Sequence, residues 1–351
     1  MSAEDTPAPR PPRRPRYRGT HPRQFAHKYK ELDPEKHGDT VAKVRASGKT
    51  PAGMHVPILV EEILAVLKPQ PGERVVDATL GYGGHAERLL AAIQPGGQLL
   101  GLDQDPIELP KTTERLRRLG YAESAFTAQR VNFAGILKAL NAQGWQDGAD
   151  CVLADLGVSS MQIDNPARGF SFKLGGPLDM RMNPKRGHSA ADLLRQLDEK
   201  KLETLLIENA DEPFAGVLAR HLVEKAATGK LTTTQALAAA VRAALPRPAP
   251  EEERELSVRR VFQALRIAVN AEFGVLATFL RALPQALRRG GRVAVLTFHS
   301  GEDRRVKKAF QSGFQDGLYS AVAGEVIRAS RAELQSNPRA SSAKLRWAVR
   351  A

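Results

Sequence analysis

The strongest constraint on the fold is the stretch RVVDATLGYGGH at residues 74–85. Its apolar pair Val75–Val76 ends at an acidic residue, Asp77, and a glycine-rich turn follows. Residues 85–93 then carry apolar side chains at helical spacing. Glycine lacks a Cβ, so its backbone adopts positive φ readily and its amide can approach a ligand closely. A strand, a glycine turn and a helix in this order predict a nucleotide-cofactor pocket, because the turn amides lie at the positive end of the helix dipole.

The turn leaves two cofactors open. Gly81, Gly83 and Ala86 fit the dinucleotide pattern G-x-G-x-x-G/A, which is a weak signal by itself. Asp77 would place a negative charge near a pyrophosphate, so it favours a ligand with a positively charged amino group, such as S-adenosylmethionine. Asp103 ends the next predicted strand and is placed to accept hydrogen bonds from a ribose diol. This acid suits NAD and S-adenosylmethionine equally, and a tight turn with a solvated acid and no ligand also remains open.

Predicted helices and strands alternate with short links as far as residue 156. Helices are expected at residues 106–119 and 134–141, and strands at residues 125–131 and 149–156. Alternation of this kind predicts a parallel, doubly wound α/β sheet.

Residues 164–258 offer almost no strand pattern and predict a helical insertion after the fourth strand. Helices are expected at residues 190–197, 199–209, 215–227 and 235–245, with N-caps at Ser189, Asp198 and Thr234. One long helix should then bury a single face on the sheet through Phe262, Leu265, Val269, Phe273, Leu276 and Leu280. A strand at 292–299 follows, and pairing of residues 325–327 with residues 344–349 is expected to complete the sheet.

These patterns divide the chain into four segments. Residues 1–50 form a basic, proline-rich extension, because residues 1–30 hold eight basic side chains against two acids and almost no aliphatic ones. This extension is interpreted as a solvated tail, with an arm on RNA phosphates and a transit peptide as alternatives. Residues 51–163 and 259–351 form the two parts of the cofactor-binding domain, and residues 164–258 form the helical insertion.

Composition limits the class of protein. The 351 residues include 52 Lys and Arg against 39 Asp and Glu, a net charge of +13. This excess favours a polyanionic partner, although a basic protein without one fits the charge equally well. The single cysteine, Cys151, excludes an internal disulfide, and we expect it to pack inertly in a strand. No stretch reads as a membrane span or a secretory signal, so a cytoplasmic protein is expected. The scattered histidines predict no metal site.

Seven ordered blocks then resemble one known family. They are HVPILVEEIL at residues 55–64, CVLADLGVSSMQID at 151–164, RGFSF at 168–172, PLDMRM at 177–182, VFQALRIAVNAE at 261–272, LTFHSGEDRRVK at 296–307 and SNPRASSAKLR at 336–346. Together they resemble the bacterial small-subunit ribosomal RNA cytosine-N4 methyltransferases. The resemblance implies a class I methyltransferase with a Rossmann-like sheet and S-adenosyl-L-methionine as its cofactor. Its partner would be small-subunit rRNA or a ribosomal particle, and its target a cytidine in the decoding region of the 16S-type rRNA.

The resemblance also implies the cofactor residues. Carried over position by position, they are Gly83, Gly84, His85, Asp103, Phe133, Asp155 and Gln162. The turn amides and Asp77 would hold the methionine part, Asp103 the ribose, and Phe133 would face the adenine. His85 fits a plain first-turn residue equally well, and Phe133 fits a core position equally well.

Substrate residues are harder to assign. Asp155 begins Asp-Leu-Gly, at the place where amino-group methyltransferases orient the target amine, so it is a candidate for that role. Phe170 and Phe172 fit a lip that stacks an unpaired base, but also a core plug. Arg181 fits a phosphate contact and a local salt bridge equally. Gly301 stands where the family usually has leucine, which affects the expected packing around His299.

Two functions from other classes remain open on the sequence. One is an NAD-linked oxidoreductase, which the glycine turn allows. The other is a non-catalytic RNA-binding protein that keeps the methyltransferase fold, against which the intact Gly83, Gly84, Asp103 and Asp155 argue.

Overall fold

A seven-stranded sheet organises the part of the chain that the computed structural model describes, residues 57–246 and 249–351. The predicted basic extension, residues 1–50, lies outside the described residues. The strands are β1 Arg74–Asp77, β2 Gln98–Asp103, β3 Phe126–Arg130, β4 Ala149–Asp155, β5 Leu287–Thr297, β6 Tyr319–Val322 and β7 Lys344–Arg350.

Helices fill the connections between the strands. Around the sheet they are α1 Val60–Leu67, α2 Gly84–Ile93, α3 Glu108–Arg118 and α4 Ile136–Ala142. Between β4 and β5 they are α5 Ser160–Asp164, α6 Ala190–Gln196, α7 Glu199–Ala210, α8 Ala215–Ala227, α9 Thr234–Ala244, α10 Glu251–Val269 and α11 Glu272–Ala286. The last two are α12 Ser300–Gln315 and α13 Arg331–Ser336.

The strand order is β3-β2-β1-β4-β5-β7-β6. The first five of these strands run parallel, whereas β7 is antiparallel to both β5 and β6. The predicted doubly wound α/β sheet is therefore confirmed. The order reverses between β1 and β4, and ligands bind beyond the carboxyl ends of the strands at such a point.

Helices cover both faces of the sheet, and successive strand residues point to opposite faces. Val75 packs with buried side chains of α1 and α2, whereas its neighbour Val76 packs with those of α4 and α11. Cys151 of β4 is fully buried, and burial raises the pKa of its thiol well above the ordinary range. The cysteine is thus a packing residue, as expected.

Helices α6 to α10 form a second apolar cluster that runs from Leu178 to Leu265. Ser189 caps α6 and Asp198 caps α7 through their side chains, as predicted. The cap of α9 is Thr233 and not the predicted Thr234, whose hydroxyl donates instead to the backbone oxygen of Leu174.

The prediction of a single long helix after residue 258 is wrong. The segment forms two helices, α10 and α11, separated by Asn270 and Ala271. The two helices meet at 59° because Ala271 takes a left-handed backbone with φ 49°. Phe262 and Leu265 pack in the helical cluster, and only the residues from Leu276 onward pack on the sheet. The predicted boundary at residue 258 thus falls inside α10, and we propose the break as the boundary of the insertion.

The predicted closing hairpin is also wrong in part. Strand β7 pairs with β5 and with β6, Tyr319–Val322, while Ile327 makes one isolated bridge to Leu345.

Within the described residues no single helix is long and apolar enough to cross a membrane. The bent pair α10 and α11 is long and apolar enough only when the two helices are taken together.

Candidate cofactor and substrate site

Three carboxylates meet at the carboxyl ends of neighbouring strands. Asp77 ends β1, Asp103 ends β2 and Asp155 ends β4, and β1 lies between the other two. Together with the glycine turn after β1, they line the crevice where the strand order reverses. The fold therefore brings together residues that lie as many as 78 positions apart in the chain.

The glycine turn requires glycine at Gly83. This residue has φ 79° and precedes α2, and a Cβ on it would lie 2.9 Å from Cγ2 of Thr112. The amide of Gly83 donates to the backbone oxygen of Leu80, and the amide of Gly81 donates to Oδ2 of Asp103. The amide of Gly83 thus closes the turn and that of Gly81 holds Asp103, so these two turn amides are engaged within the protein, contrary to the prediction that the turn amides hold the ligand. The first-turn amides of α2, at Gly84 and His85, have no acceptor within the helix and fit that role.

His85 and Asp155 lie side by side at the carboxyl ends of β1 and β4. Nε2 of His85 lies 3.5 Å from Oδ2 of Asp155. His85 is only 7% exposed, and within the described residues neither its Nε2 nor Oδ1 of Asp155 has a hydrogen-bond partner. Buried polar atoms are nearly always paired, so these two atoms at the carboxyl end of the sheet are available for hydrogen bonds with a polar ligand. The backbone amide of Asp155 is fixed by Oγ1 of Thr79 at 2.6 Å.

Asp77 is almost completely buried, at 2% exposure. Burial raises its pKa to about 7, although the nearby His85 and the amide of Thr79 act in the opposite direction. An acid in this setting gains from a cationic partner, because the partner offsets the cost of keeping a charge buried. Asp77 therefore fits an amino group, as the sequence predicts.

Asp103 is held by two backbone donors, one for each carboxylate oxygen. The amide of Gly81 donates to Oδ2 and the amide of Asp105 donates to Oδ1, at 2.9 and 2.8 Å. Burial raises the pKa of Asp103 to about 6, against the lowering effect of these two hydrogen bonds. Each oxygen keeps a second lone pair, so the carboxylate can still accept from a ribose diol.

Phe133 lies just beyond β3, in a short 3₁₀ turn at Phe133–Gly135. Its ring packs edge-to-face on Phe279 of α11, with centroids 5.2 Å apart, and stays partly exposed. One edge of the ring thus serves the core, while the exposed part lies at the same end of the sheet as Asp103.

Gln162 does not reach the crevice with a free polar group. Its amide nitrogen donates to Oδ2 of Asp105 at 2.8 Å, and its oxygen accepts from the backbone of Ser159. Gln162 therefore fixes Asp105, whose amide in turn holds Asp103.

A buried ion pair that the sequence reasoning missed completes this network. Nη1 of Arg168 donates to Oδ2 of Asp105 at 2.8 Å, and the two side chains are 7% and 1% exposed. Nη2 of Arg168 donates to the backbone oxygens of Arg181 and Met182. The arginine of the RGFSF block thereby ties the cofactor end of β2 to the PLDMRM block.

The substrate candidates are mostly engaged in packing. Phe172 lies edge-to-face on Phe262 with centroids 5.3 Å apart, and Phe170 packs on the same helical cluster with Arg168 over its ring. Arg181 forms a two-pronged salt bridge with Asp179. Burial alone would raise the pKa of Asp179, but the hydrogen bonds from Arg181 hold it below its ordinary value. Of the two roles open for Arg181, the structure shows the salt bridge.

A second charged cluster lies beyond β5. Ligand atoms of Glu272, His299 and Glu302 lie within 4.8 Å of one another, a spacing that would admit a metal ion. Arg266, however, donates to both carboxylate oxygens of Glu272 at 2.9 Å, so an internal cation already neutralises that acid.

Gly301 follows the strand that delivers His299. A Cβ on Gly301 would lie 2.7 Å from the ring of Phe273, which packs beside His299 and under Arg305. Glycine at position 301 therefore leaves room for this ring.

Comparison with known proteins identifies the family. The model of the MraW methylase family matches residues 52–351. The chain belongs to the MraW methylase family. Ribosomal RNA small subunit methyltransferase H 2 of Alkaliphilus metalliredigens is 50% identical over 343 residues, 97% of each chain. Its namesake H 1 of Lachnoclostridium phytofermentans is 49% identical over 343 residues, 97% of this chain and 93% of the relative.

Membership in this family decides between the alternatives left open by the sequence. The protein is a class I methyltransferase with S-adenosylmethionine as its cofactor, and the NAD-linked oxidoreductase is excluded. The resemblance predicted from seven sequence blocks is confirmed.

Proposed function

We propose that this methyltransferase acts in the cytoplasm on the N4 amino group of a cytidine in the decoding region of small-subunit rRNA. The observation that carries the proposal is the unpaired, buried Oδ1 of Asp155, next to His85 at the crevice. The names of the relatives, ribosomal RNA small subunit methyltransferases, support the substrate class. The net charge of +13 supports a polyanionic substrate.

The chemistry requires an oriented amine rather than a strong base. The lone pair of cytosine N4 is delocalised into the ring, so the amine must be aligned with the methyl group before it can attack. S-adenosylmethionine, when bound, supplies that methyl group on a sulfonium. Asp155 would accept an N–H hydrogen bond from the amine and stabilise the positive charge that develops on N4. The methylated ammonium is very acidic, so its proton is lost readily afterwards.

The remaining residues would hold the cofactor. Asp77 would pair with the amino group of the methionine part, the first-turn amides at Gly84 and His85 with its carboxylate, and Asp103 with the ribose. Phe133 would offer its exposed part to the adenine. Gln162 acts one step away, because its contacts fix Asp105 and hence Asp103.

For the base of the target nucleotide we propose Phe170 as the stacking surface. Its ring is partly exposed, and the guanidinium of Arg168 lies 5.8 Å from its centroid. An unpaired base can stack on such a ring, and RNA-binding proteins commonly read splayed bases in this way. Phe172 is committed to Phe262 and serves as support.

The proposal is tested by two substitutions of Asp155 assayed on small-subunit particles that lack the modification. Asp155→Ala should lose labelled-methyl transfer far more than it loses RNA binding, because phosphate contacts supply most RNA affinity. Asp155→Asn keeps one acceptor oxygen and should retain measurable turnover. Full activity of Asp155→Ala would remove this residue from the chemistry.

A further inference from the structure

A short basic tip, defined as residues 183–188, projects from the loop after Met182. Lys185, Arg186 and His188 are all exposed. Within the described ranges neither Lys185 nor Arg186 forms a salt bridge, whereas the arginines on either side, Arg181 and Arg195, are each paired with an aspartate. The tip therefore presents two cations that no acid among residues 57–246 and 249–351 neutralises through a salt bridge.

The backbone of the basic tip is fixed by local hydrogen bonds. Asn183 accepts from the amide of Lys185 through Oδ1 and from the amide of Arg186 through its backbone oxygen, both at 3.1 Å. Arg181 donates to the backbone oxygen of Gly187 at 3.3 Å. These contacts reduce the conformational entropy that the loop would lose on binding a ligand.

The stem of the tip is anchored directly to the candidate site. The amide of Met182 donates to Oδ1 of Asn270 and its backbone oxygen accepts from Arg168, both at 2.8 Å. Arg168 in turn pairs with Asp105, whose amide holds Asp103. Lys185 follows Met182 by three residues, so its Cα lies within about 11 Å of the Cα of Met182.

We propose that the basic tip binds the RNA phosphate backbone beside the target nucleotide, with Lys185 and Arg186 as the contacting side chains. The inference rests on the proposed function and adds to it the surface that places the RNA. Contacts of Lys and Arg to phosphates set the register of a nucleic acid without reading its bases. A fixed stem that ends in the network around Asp103 would place such a contact at a constant distance from the cofactor.

The test compares two variants that each lose two positive charges. One is Lys185→Gln with Arg186→Gln, and the control is Lys68→Gln with Arg289→Gln. Lys68 and Arg289 are exposed, and Arg289 lies near the start of β5, at the end of the parallel strands opposite the site. The RNA is in vitro transcribed small-subunit rRNA, titrated at several salt concentrations, and the same variants are assayed for methyl transfer.

The tip variant should bind this RNA roughly tenfold more weakly at low salt, and its slope of log affinity against log salt should fall by about 1.4, or about 0.7 for each lost phosphate contact. KM for RNA should rise, while kcat at saturating RNA and S-adenosylmethionine affinity stay within about twofold of the wild type. The control should change little in every measurement.

Each other outcome counts against the inference in a recognisable way. Equal affinities and salt slopes for the two variants would overturn it while leaving the proposed function intact, provided the wild type methylates the rRNA. A tip variant that binds assembled particles more weakly but binds the transcribed rRNA normally would overturn the inference and indicate that the tip contacts a ribosomal protein. A wild type that methylates neither the transcribed rRNA nor small-subunit particles lacking the modification would instead overturn the proposed function.

Discussion

Arg168→Met is the substitution with the most direct consequences in this structure. It removes the salt bridge to Asp105 and the two hydrogen bonds to the backbone oxygens of Arg181 and Met182. The carboxylate of Asp105, 1% exposed, would keep its contacts with Gln162 and nearby backbone amides but lose its only counter-charge at salt-bridge distance among the described residues.

Breaking a buried pair by removing one partner costs about 3–5 kcal/mol. At about 2–4 °C per kcal/mol, a ratio typical of domains of 150–250 residues, Tm should fall by roughly 6–20 °C. The assay is thermal unfolding followed by circular dichroism, with Arg168→Met, Asp105→Asn and the double variant measured side by side.

The double variant distinguishes the mechanism. Asp105→Asn removes the charge and keeps an oxygen for the amide of Ile107. The loss of unfolding free energy in the double variant should therefore be at least about 1 kcal/mol smaller than the sum of the losses in the two single variants. Strictly additive losses of stability, or a loss of less than about 1 kcal/mol for Arg168→Met alone, would show that the uncompensated charge does not dominate the effect.

Three further predictions concern the cofactor pocket. Asp103→Ala should weaken S-adenosylmethionine binding in calorimetry by about 1.5–3 kcal/mol, because the ribose loses a charged acceptor; unchanged affinity would remove the ribose assignment. Burial raises the pKa of Asp77 from 3.8 to about 7, so its contribution to stability is present below about pH 4 and is lost as the pH rises through 7. Asp77→Asn should flatten the dependence of melting temperature on pH. In the wild type, cofactor affinity should rise between pH 6 and 8, because the ionised carboxylate pairs with the amino group. Asp77→Asn should remove this rise as well. Gly83→Ala should destabilise by at least about 1 kcal/mol and more than Gly229→Ala, since both have positive φ but only Gly83 meets Thr112; equal losses would show that the contact is harmless.

The elements that a sequence encodes locally were predicted well. The buried pair Val75 and Val76 specifies strand β1, and the glycine turn after Asp77 specifies the start of α2. The residues that determine both elements lie within twelve positions of the sequence. The caps Ser189 and Asp198 are similarly local, since each side chain bonds an amide three residues ahead.

Long-range contacts and helix breaks were not predictable in the same way. Asp105 and Arg168 are 63 residues apart, and nothing in the local pattern shows that an arginine in RGFSF will be buried. The apolar spacing from Phe262 to Leu276 continues through the break at Asn270 and Ala271, where no glycine or proline marks it. The one sequence signal for a structural role of Arg168 is its position directly before a glycine-flanked aromatic loop, and this signal does not identify its partner.

The position of the transferred methyl group distinguishes the proposed cytosine-N4 methylation from every other modification of the RNA. Small-subunit particles from a strain without the gene are incubated with this enzyme and S-adenosylmethionine labelled in its methyl group. The rRNA is then digested, and the labelled fragment and nucleoside are identified by mass spectrometry against synthetic standards. We expect label on cytosine N4 at a decoding-region cytidine. Label on cytosine C5, on a ribose oxygen or outside small-subunit rRNA would contradict it.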